Sequence, residues 1–156
     1  MTARINIQVT GLESLAKKLT TMKLNMRNLG PATRKMSLEL RRVVNASFRT
    51  EVAPSGVPWA PLRPATIAAR QRRGLVPIRK LQATGRLKRS IHITVKRGVQ
   101  LTADAPYAGY LQHGTSKMAA RPFVPFTRSG QFDQGGKGKA LVQRMARILL
   151  EHLTRV

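Results

Sequence analysis

The sequence has no cysteine and only six acidic residues among its 156 amino acids. The absence of cysteine excludes disulfide frameworks, thiolate zinc sites and catalysis by a thiol. No apolar run approaches the roughly 18 residues that a membrane-spanning helix needs, and residues 1–7 lack the apolar core of a secretory signal. We therefore expect a soluble protein that stays in the compartment where it is made and has no membrane partner.

The scarcity of acids limits enzyme chemistry, because general acid–base catalysis and metal binding both depend on such groups. No two of the acids are near neighbours in the sequence. Glu13, Glu39 and Glu151 fall on predicted helix faces beside bases, a pattern typical of surface ion pairs. The three histidines match no zinc-binding spacing. We expect no metal site.

The glycine- and lysine-rich run at residues 135–139 is similar to a phosphate-binding loop but fails its spacing. Gln131 and Asp133 occupy the positions at which such a loop needs its first glycine, and neither lysine is followed by Ser or Thr. We therefore expect no cofactor, no small-molecule substrate and no enzyme activity.

Positive charge is abundant: 29 Lys and Arg residues give a net charge of +23. Like charges at this density repel one another in a compact monomer. DNA or RNA would relieve the repulsion, since each neutralised phosphate releases condensed counterions, and an acidic protein surface is the other candidate. Aromatic residues make up only 4% of the chain, so platforms for stacking unpaired bases are poorly supplied.

The bases are concentrated in one acid-free stretch between Glu51 and Asp104. We regard its eleven bases as candidates for facing DNA or another anion. They are Arg63, Arg70, Arg72, Arg73, Arg79, Lys80, Arg86, Lys88, Arg89, Lys96 and Arg97.

The hydrophobic pattern predicts one α+β domain over residues 1–156, in which N-terminal helices and a C-terminal helix pack on a small antiparallel β-sheet. Alternating residues predict strands at 5–9, 91–95 and 99–103, the last two joined as a hairpin by the basic turn 96–98. Helical spacing of apolar residues predicts helices over about residues 12–22, 32–49, 65–72, 107–113 and 139–153.

Two segments show neither helix nor strand periodicity. Residues 54–64 hold four prolines and a glycine, which excludes a helix interior or a central strand, and Trp59 is the expected anchor of this loop in the core. Residues 115–138 carry several glycines, and we expect a flexible loop there that contacts a neighbouring protein.

Short segments between residues 48 and 123 carry a resemblance to a known family when they are taken in order. They are Phe48-x-x-Glu51, Pro54-Ser55-Gly56-x-x-Trp59-Ala60-Pro61-Leu62, Thr66 with Arg70, Leu81-x-x-Thr84-Gly85-x-Leu87-x-x-Ser90-Ile91, Tyr107-Ala108-x-x-x-Gln112-x-Gly114 and Arg121-Pro122-Phe123. In this order and spacing the chain resembles the phage virion morphogenesis family, the tail completion or head–tail joining proteins of Mu-like and related tailed phages.

The resemblance implies a structural virion protein at the phage neck or tail, assembled in the host cytoplasm. Such a protein forms a homo-oligomeric ring that terminates the tail tube, docks it to the head connector or portal, and surrounds the path of the genome. A basic nucleic-acid-binding protein that acts on DNA or RNA outside a ring is the alternative.

The matched residues suggest where neighbours would bind. Trp59 and Leu62 can pin the proline-rich loop to the sheet, Tyr107 can bury its ring while its hydroxyl stays in water, and Phe123 and Phe126 can enter a neighbour's groove. Maintenance of the chain's own fold is the alternative role for all of them. The interface candidates are Trp59, Leu62, Tyr107, Gln112, Arg121, Phe123 and Phe126.

Overall fold

The computed structural model describes residues 12–95 and 98–155, and within these ranges the fold is α+β. This confirms the predicted class. The strand predicted at 5–9 and most of the predicted hairpin turn lie outside the described residues. The elements in chain order are α1 (Leu12–Arg27), α2 (Gly30–Thr50), α3 (Pro64–Arg72), α4 (Arg86–Arg89), β1 (Ile91–Val95), β2 (Val99–Ala103), α5 (Ala108–His113) and α6 (Gly136–Thr154).

Helix α2 is the centre of the described structure. Pro31 occupies its first turn, where a missing N–H costs nothing. Leu40, Val43 and Phe48 are buried along one side of the helix, as their spacing predicted. Helix α6 packs on α2 by placing Leu141 against Leu40 and Val43.

Strands β1 and β2 form the predicted antiparallel hairpin, with Ile91 opposite Ala103 and Val95 opposite Val99. Ile91 is buried in a core cluster with Phe48 of α2. The next inward residue of β1, Ile93, packs against the cluster that joins α2 to α6. The sheet therefore contacts both apolar clusters, to each of which α2 also contributes buried residues.

Residues 86 and 87 of the predicted turn at 84–87 belong instead to a single helical turn, α4, and residues 84 and 85 are irregular, as predicted. The helical turn starts after Gly85, whose φ of 71° lies in the left-handed region that glycine adopts without strain. Leu87 of this turn is buried. The burial of Leu87 stabilises this helical turn. Because the turn is only four residues long, the sequence shows no helical periodicity that would predict it.

Residues 115–135 contain isolated bridges but no named helix or strand, in agreement with the sequence pattern. Part of this segment nevertheless packs in the core, because Arg121 and residues 123–125 are buried and Pro122 is half-buried. Helix α6 then begins at Gly136, three residues before the predicted start. The flexibility of the segment stays a prediction, and it applies to the exposed residues on either side of 121–125.

Helix α1 is confirmed as a helix, but the first half of its apolar side is not covered by the described part of the chain. Every residue from Glu13 to Thr20 is exposed. The helix is attached near its carboxyl end, where the Asn25 amide donates to the backbone oxygens of Leu153 and Arg155 at 3.1 and 2.9 Å. The periodicity of α1 therefore predicts that the helix has an apolar face, but it does not identify the surface that covers this face.

Candidate functional site: a loop clamp and a basic groove

Three side chains order the segment that follows α5, and two of them, Trp59 and Arg121, tie it to the proline-rich loop. We call Trp59, Gln112 and Arg121 the loop clamp. The indole Nε1 of Trp59 donates to the Pro122 carbonyl at 2.6 Å. In the opposite direction, Arg121 donates from Nε to the carbonyl of Ala60 and from Nη2 to the carbonyl of Pro61, at 3.0 and 2.8 Å. Two irregular segments are thereby held at a fixed separation.

Gln112 supplies the third part of the loop clamp from α5. Its Nε2 donates to the carbonyls of Val124 and Phe126 at 3.1 and 3.0 Å, and its Oε1 accepts from the N–H groups of Phe123 and Val124 at 3.0 and 3.2 Å. An amide side chain has two donors and two acceptor positions. All of them are used to order an extended segment that belongs to no sheet.

The aromatic residues of the matched motifs lie mainly in this chain's own core. Phe48 meets the edge of Trp59 at a centroid distance of 5.7 Å and the ring of Phe123 at 5.8 Å. Trp59 and Phe123 are each only 2% exposed. The expectation that Phe123 enters a neighbour's groove is therefore wrong, because its side chain fills the core beside Phe48. Phe126 is half-buried against Phe132.

The buried members of the loop clamp also maintain the fold. Gln112 and Arg121 are 8% and 9% exposed, and their polar atoms are engaged within the chain. Of the interface candidates, Leu62 is half-buried and Tyr107 is exposed. Tyr107 is 37% exposed, which leaves room for a partly buried ring with its hydroxyl in water, so the role expected of it stays a prediction. Trp59 is confirmed as the anchor of the proline-rich loop.

The glycine run at the start of α6 is explained by close packing on the proline-rich loop. The Pro54 carbonyl accepts hydrogen bonds from the N–H groups of Lys137 and Gly138 at 2.8 and 3.3 Å. A Cβ on Gly136 would lie 2.6 Å from the Ser55 carbonyl oxygen. The first turn of α6 therefore binds another part of the backbone, and its N–H groups are not arranged to cradle a phosphate.

A groove of about 830 Å³ runs along the solvent side of α2, and we call it the basic groove. Side chains from α2, from the segment before α4, from α4 and from α6 converge there. Its bases are Arg42, Arg49, Arg79, Lys88, Lys137 and Arg144, and its single acid is Glu39.

The charge of the basic groove is only partly compensated. Glu39 forms ion pairs with Arg42 on its own helix and with Arg144 of α6, the latter at 3.1 Å. Within residues 12–95 and 98–155, the other four bases of the groove make no salt bridge. These four bases are Arg49, Arg79, Lys88 and Lys137. A cluster of unpaired cations on several elements favours an anionic ligand.

Of the nine predicted anion-facing bases that the structure describes, Arg79 and Lys88 reach the basic groove. Several of the others hold local structure: Arg63 donates to the carbonyl of Lys117, Arg70 to that of Arg79 and Arg89 to that of Thr84, while Lys80 pairs with Glu51 at 3.3 Å. Arg72, Arg73 and Arg86 are exposed elsewhere, and Lys96 and Arg97 lie outside the described residues.

The acid-free stretch does not include four bases of the groove, which lie before or after it in the sequence: Arg42, Arg49, Lys137 and Arg144. The helical spacing of two of these arginines does indicate a shared basic surface. Arg42 and Arg49 are seven residues apart and so lie on one side of α2, opposite its apolar stripe. Nothing in the sequence placed the start of α6 beside them.

The described residues contain no group of three or more His, Asp or Glu side chains arranged to hold a metal ion. Asp104 pairs with His92 at 3.3 Å, and the carboxylate of Asp133 accepts from the N–H of Gly135 at 2.9 Å. Across the same described ranges, no helix combines the length and apolarity needed to span a bilayer.

Comparison with known proteins gives one match. The model of the phage virion morphogenesis family matches residues 7–153. The matched range extends the resemblance from residues 48–123 to nearly the whole chain, including α1 and α6. No curated protein and no solved structure matches the sequence significantly.

Proposed function

Because the chain belongs to the phage virion morphogenesis family, we propose that it is a tail completion or neck protein whose homo-oligomeric ring terminates the tail tube and docks it to the head connector. The family match over residues 7–153 is the observation that carries this proposal. Membership gives the chain a structural role in phage virion assembly. The ring, its place at the neck and its assembly in the host cytoplasm are our extension of that role.

The geometry supports a role based on shape. The loop clamp fixes the proline-rich loop, and the Pro54 carbonyl fixes the start of α6 to the same loop. The two irregular segments are thereby joined to each other and to the first turn of α6. Rigid irregular surfaces are suited to docking, because little conformational entropy is lost when they bind.

We propose that the apolar stripe of α1 is a contact between copies of the chain in the ring. Leu15, Leu19 and Met26 are 52%, 58% and 61% exposed. At about 100° per residue they lie within about 40° of one another around the helix. Exposed apolar stripes mark interaction sites, and head-to-tail contacts between copies close into a ring.

Replacing Leu15 and Leu19 together with glutamine is expected to convert the oligomer into folded monomers, and the melting temperature should fall only by what association contributes. Both side chains are exposed in the monomer, so the stability of the fold should change by no more than about 0.5 kcal/mol per site. Analytical ultracentrifugation gives the oligomeric state. The control replaces Leu24 and Leu150, which are equally exposed but lie outside the stripe. An intact oligomer in the first variant would contradict the contact.

The proposed station is tested by electron microscopy of particles made without this protein. We expect finished heads beside unattached or overlong tails, with joining restored by the wild-type gene supplied in trans. Infectious particles of normal appearance, or a block before heads are filled, would contradict the neck assignment.

Sizing the purified protein with and without DNA separates the ring from the alternative. A discrete oligomer in the absence of DNA supports the ring. A monomer that associates only when DNA is added would instead support a nucleic-acid-binding protein that acts outside a ring.

A further inference from the structure

We propose that the basic groove binds the phosphate backbone of duplex DNA, through Arg49, Arg79, Lys88 and Lys137. The groove belongs to the single chain and is complete without any partner copy. The inference therefore goes beyond the proposed ring and holds whether or not the chain forms one.

The first support is the convergence of charge from distant parts of the sequence. Arg49 ends α2, Arg79 precedes α4, Lys88 lies in α4 and Lys137 begins α6. The fold brings these four cations around one open groove without an acid for each. Their mutual repulsion opposes folding, and a polyanion in the groove would remove it.

The second support is the arrangement of Glu39. Its side chain is only 14% exposed, and it is engaged by Arg42 and Arg144. The one carboxylate of the groove therefore positions two arginines and presents little negative charge to a ligand. Arg42 and Arg144 are themselves 74% and 48% exposed, so their guanidinium groups remain open to a phosphate as well.

The lining of the groove favours DNA over an acidic protein segment. Val43 and Ala46 are its only apolar residues among those described, and no aromatic side chain lines it. Protein-binding surfaces are enriched in aromatic and other apolar groups at their centre, whereas DNA-binding surfaces are more polar and strongly positive. The lack of aromatics also favours the paired backbone over stacked, unpaired bases.

The shape of the groove suits a run of phosphates. Arg42, Asn45 and Arg49 line it from one side of α2. The seven residues from Arg42 to Arg49 span about 10 Å of helix axis. Phosphates of one DNA strand are about 3.4 Å apart along the duplex axis but also turn around it, so side chains on this length of helix can reach more than one phosphate. Contacts of this kind carry no sequence information, and binding should not depend on the DNA sequence.

The test measures the binding of a short DNA duplex to the full chain at several salt concentrations. The groove variant replaces Arg49, Arg79, Lys88 and Lys137 with glutamine. We expect the slope of log affinity against log salt to become shallower by about 4, since each phosphate contact contributes about 0.9. At about 0.1 M salt the affinity should fall at least about tenfold, and equally for duplexes of different sequence.

The control variant removes two arginines and two lysines outside the groove, Arg72, Arg73, Lys17 and Lys117, which gives it the same net charge. It should keep nearly the wild-type slope and affinity. Equal losses in the two variants would show that net charge alone attracts DNA and would overturn the proposal. Tighter binding of poly-glutamate than of duplex at equal charge would also overturn it, in favour of an acidic protein partner.

Lys137 is half-buried, so the variant that replaces it could fail to fold. A second groove variant therefore retains Lys137. This variant replaces only the three exposed bases Arg49, Arg79 and Lys88. Its salt slope should become shallower by about 3. A wild-type slope in this folded variant would overturn the proposal.

Discussion

Replacing Trp59 with alanine is expected to lower the free energy of unfolding by about 3–5 kcal/mol, the range for removing a large buried aromatic. The side chain is 2% exposed, packs on the edge of Phe48 and donates to the Pro122 carbonyl. Its removal leaves a cavity in the core and also removes the hydrogen bond between the proline-rich loop and Pro122. In a chain of this size the melting temperature should fall by roughly 6–20 °C.

Two further variants separate the contributions of Trp59. The Trp59→Phe substitution keeps most of the ring but leaves the Pro122 carbonyl without its donor, and it should cost about 1–3 kcal/mol. Leu24→Ala, at a side chain that is 57% exposed, should change stability by less than about 0.5 kcal/mol. A thermal melt that is the same for Trp59→Ala and the wild type would contradict the anchor role.

Periodicity predicted the regular elements well, because each is specified by residues close together in sequence. Leu40, Val43 and Phe48 recur on one side of α2 and are buried there. The alternation of residues 91–95 and 99–103 identified the hairpin and its pairing. In both cases the apolar side of the element must face the core, so the local spacing of apolar residues predicts the type of element and its buried side.

The loop clamp and the basic groove could not be derived in this way, because both are built from distant segments. Arg121 reaches the carbonyls of Ala60 and Pro61, about sixty positions earlier in the chain. Arg49 and Lys137 meet only because α6 begins against the proline-rich loop. A pattern of local spacing carries no information on which segments approach one another.

The residues that carried the family resemblance are those that hold the irregular part of the fold. Trp59, Gln112 and Arg121 form the loop clamp, and Phe123 fills the core beside them. A shared pattern of such residues specifies a shape, which explains why it identifies a family of structural proteins without showing what each member contacts. The surfaces that contact other molecules are then to be sought outside the pattern, on α1 for copies of the chain and in the basic groove for DNA.

Replacing Gln112 with methionine is expected to cost at least about 3 kcal/mol, although methionine fills a similar volume. Four backbone groups of the segment 123–126 would lose their partners, and each buried unsatisfied group costs about 1–3 kcal/mol. Thermal or chemical unfolding measures the loss. A change below about 1 kcal/mol would mean that water or a neighbouring group takes over these hydrogen bonds.

The pH dependence of the Gln112→Glu variant tests whether the side chain at this position is enclosed. The carboxylate can accept from the N–H groups of Phe123 and Val124, but it turns a second oxygen toward the carbonyls of Val124 and Phe126, which only a donor satisfies. Burial and these carbonyls disfavour the charged form, so the pKa of the new carboxyl should be higher in the folded state than in the unfolded chain. The stability difference from the wild type should therefore be largest at neutral pH and should shrink as the pH falls toward about 4.3, the ordinary value for this group. A difference that stays constant over this interval would show that the carboxylate is hydrated, and that the amide of Gln112 is not enclosed between α5 and the segment it orders.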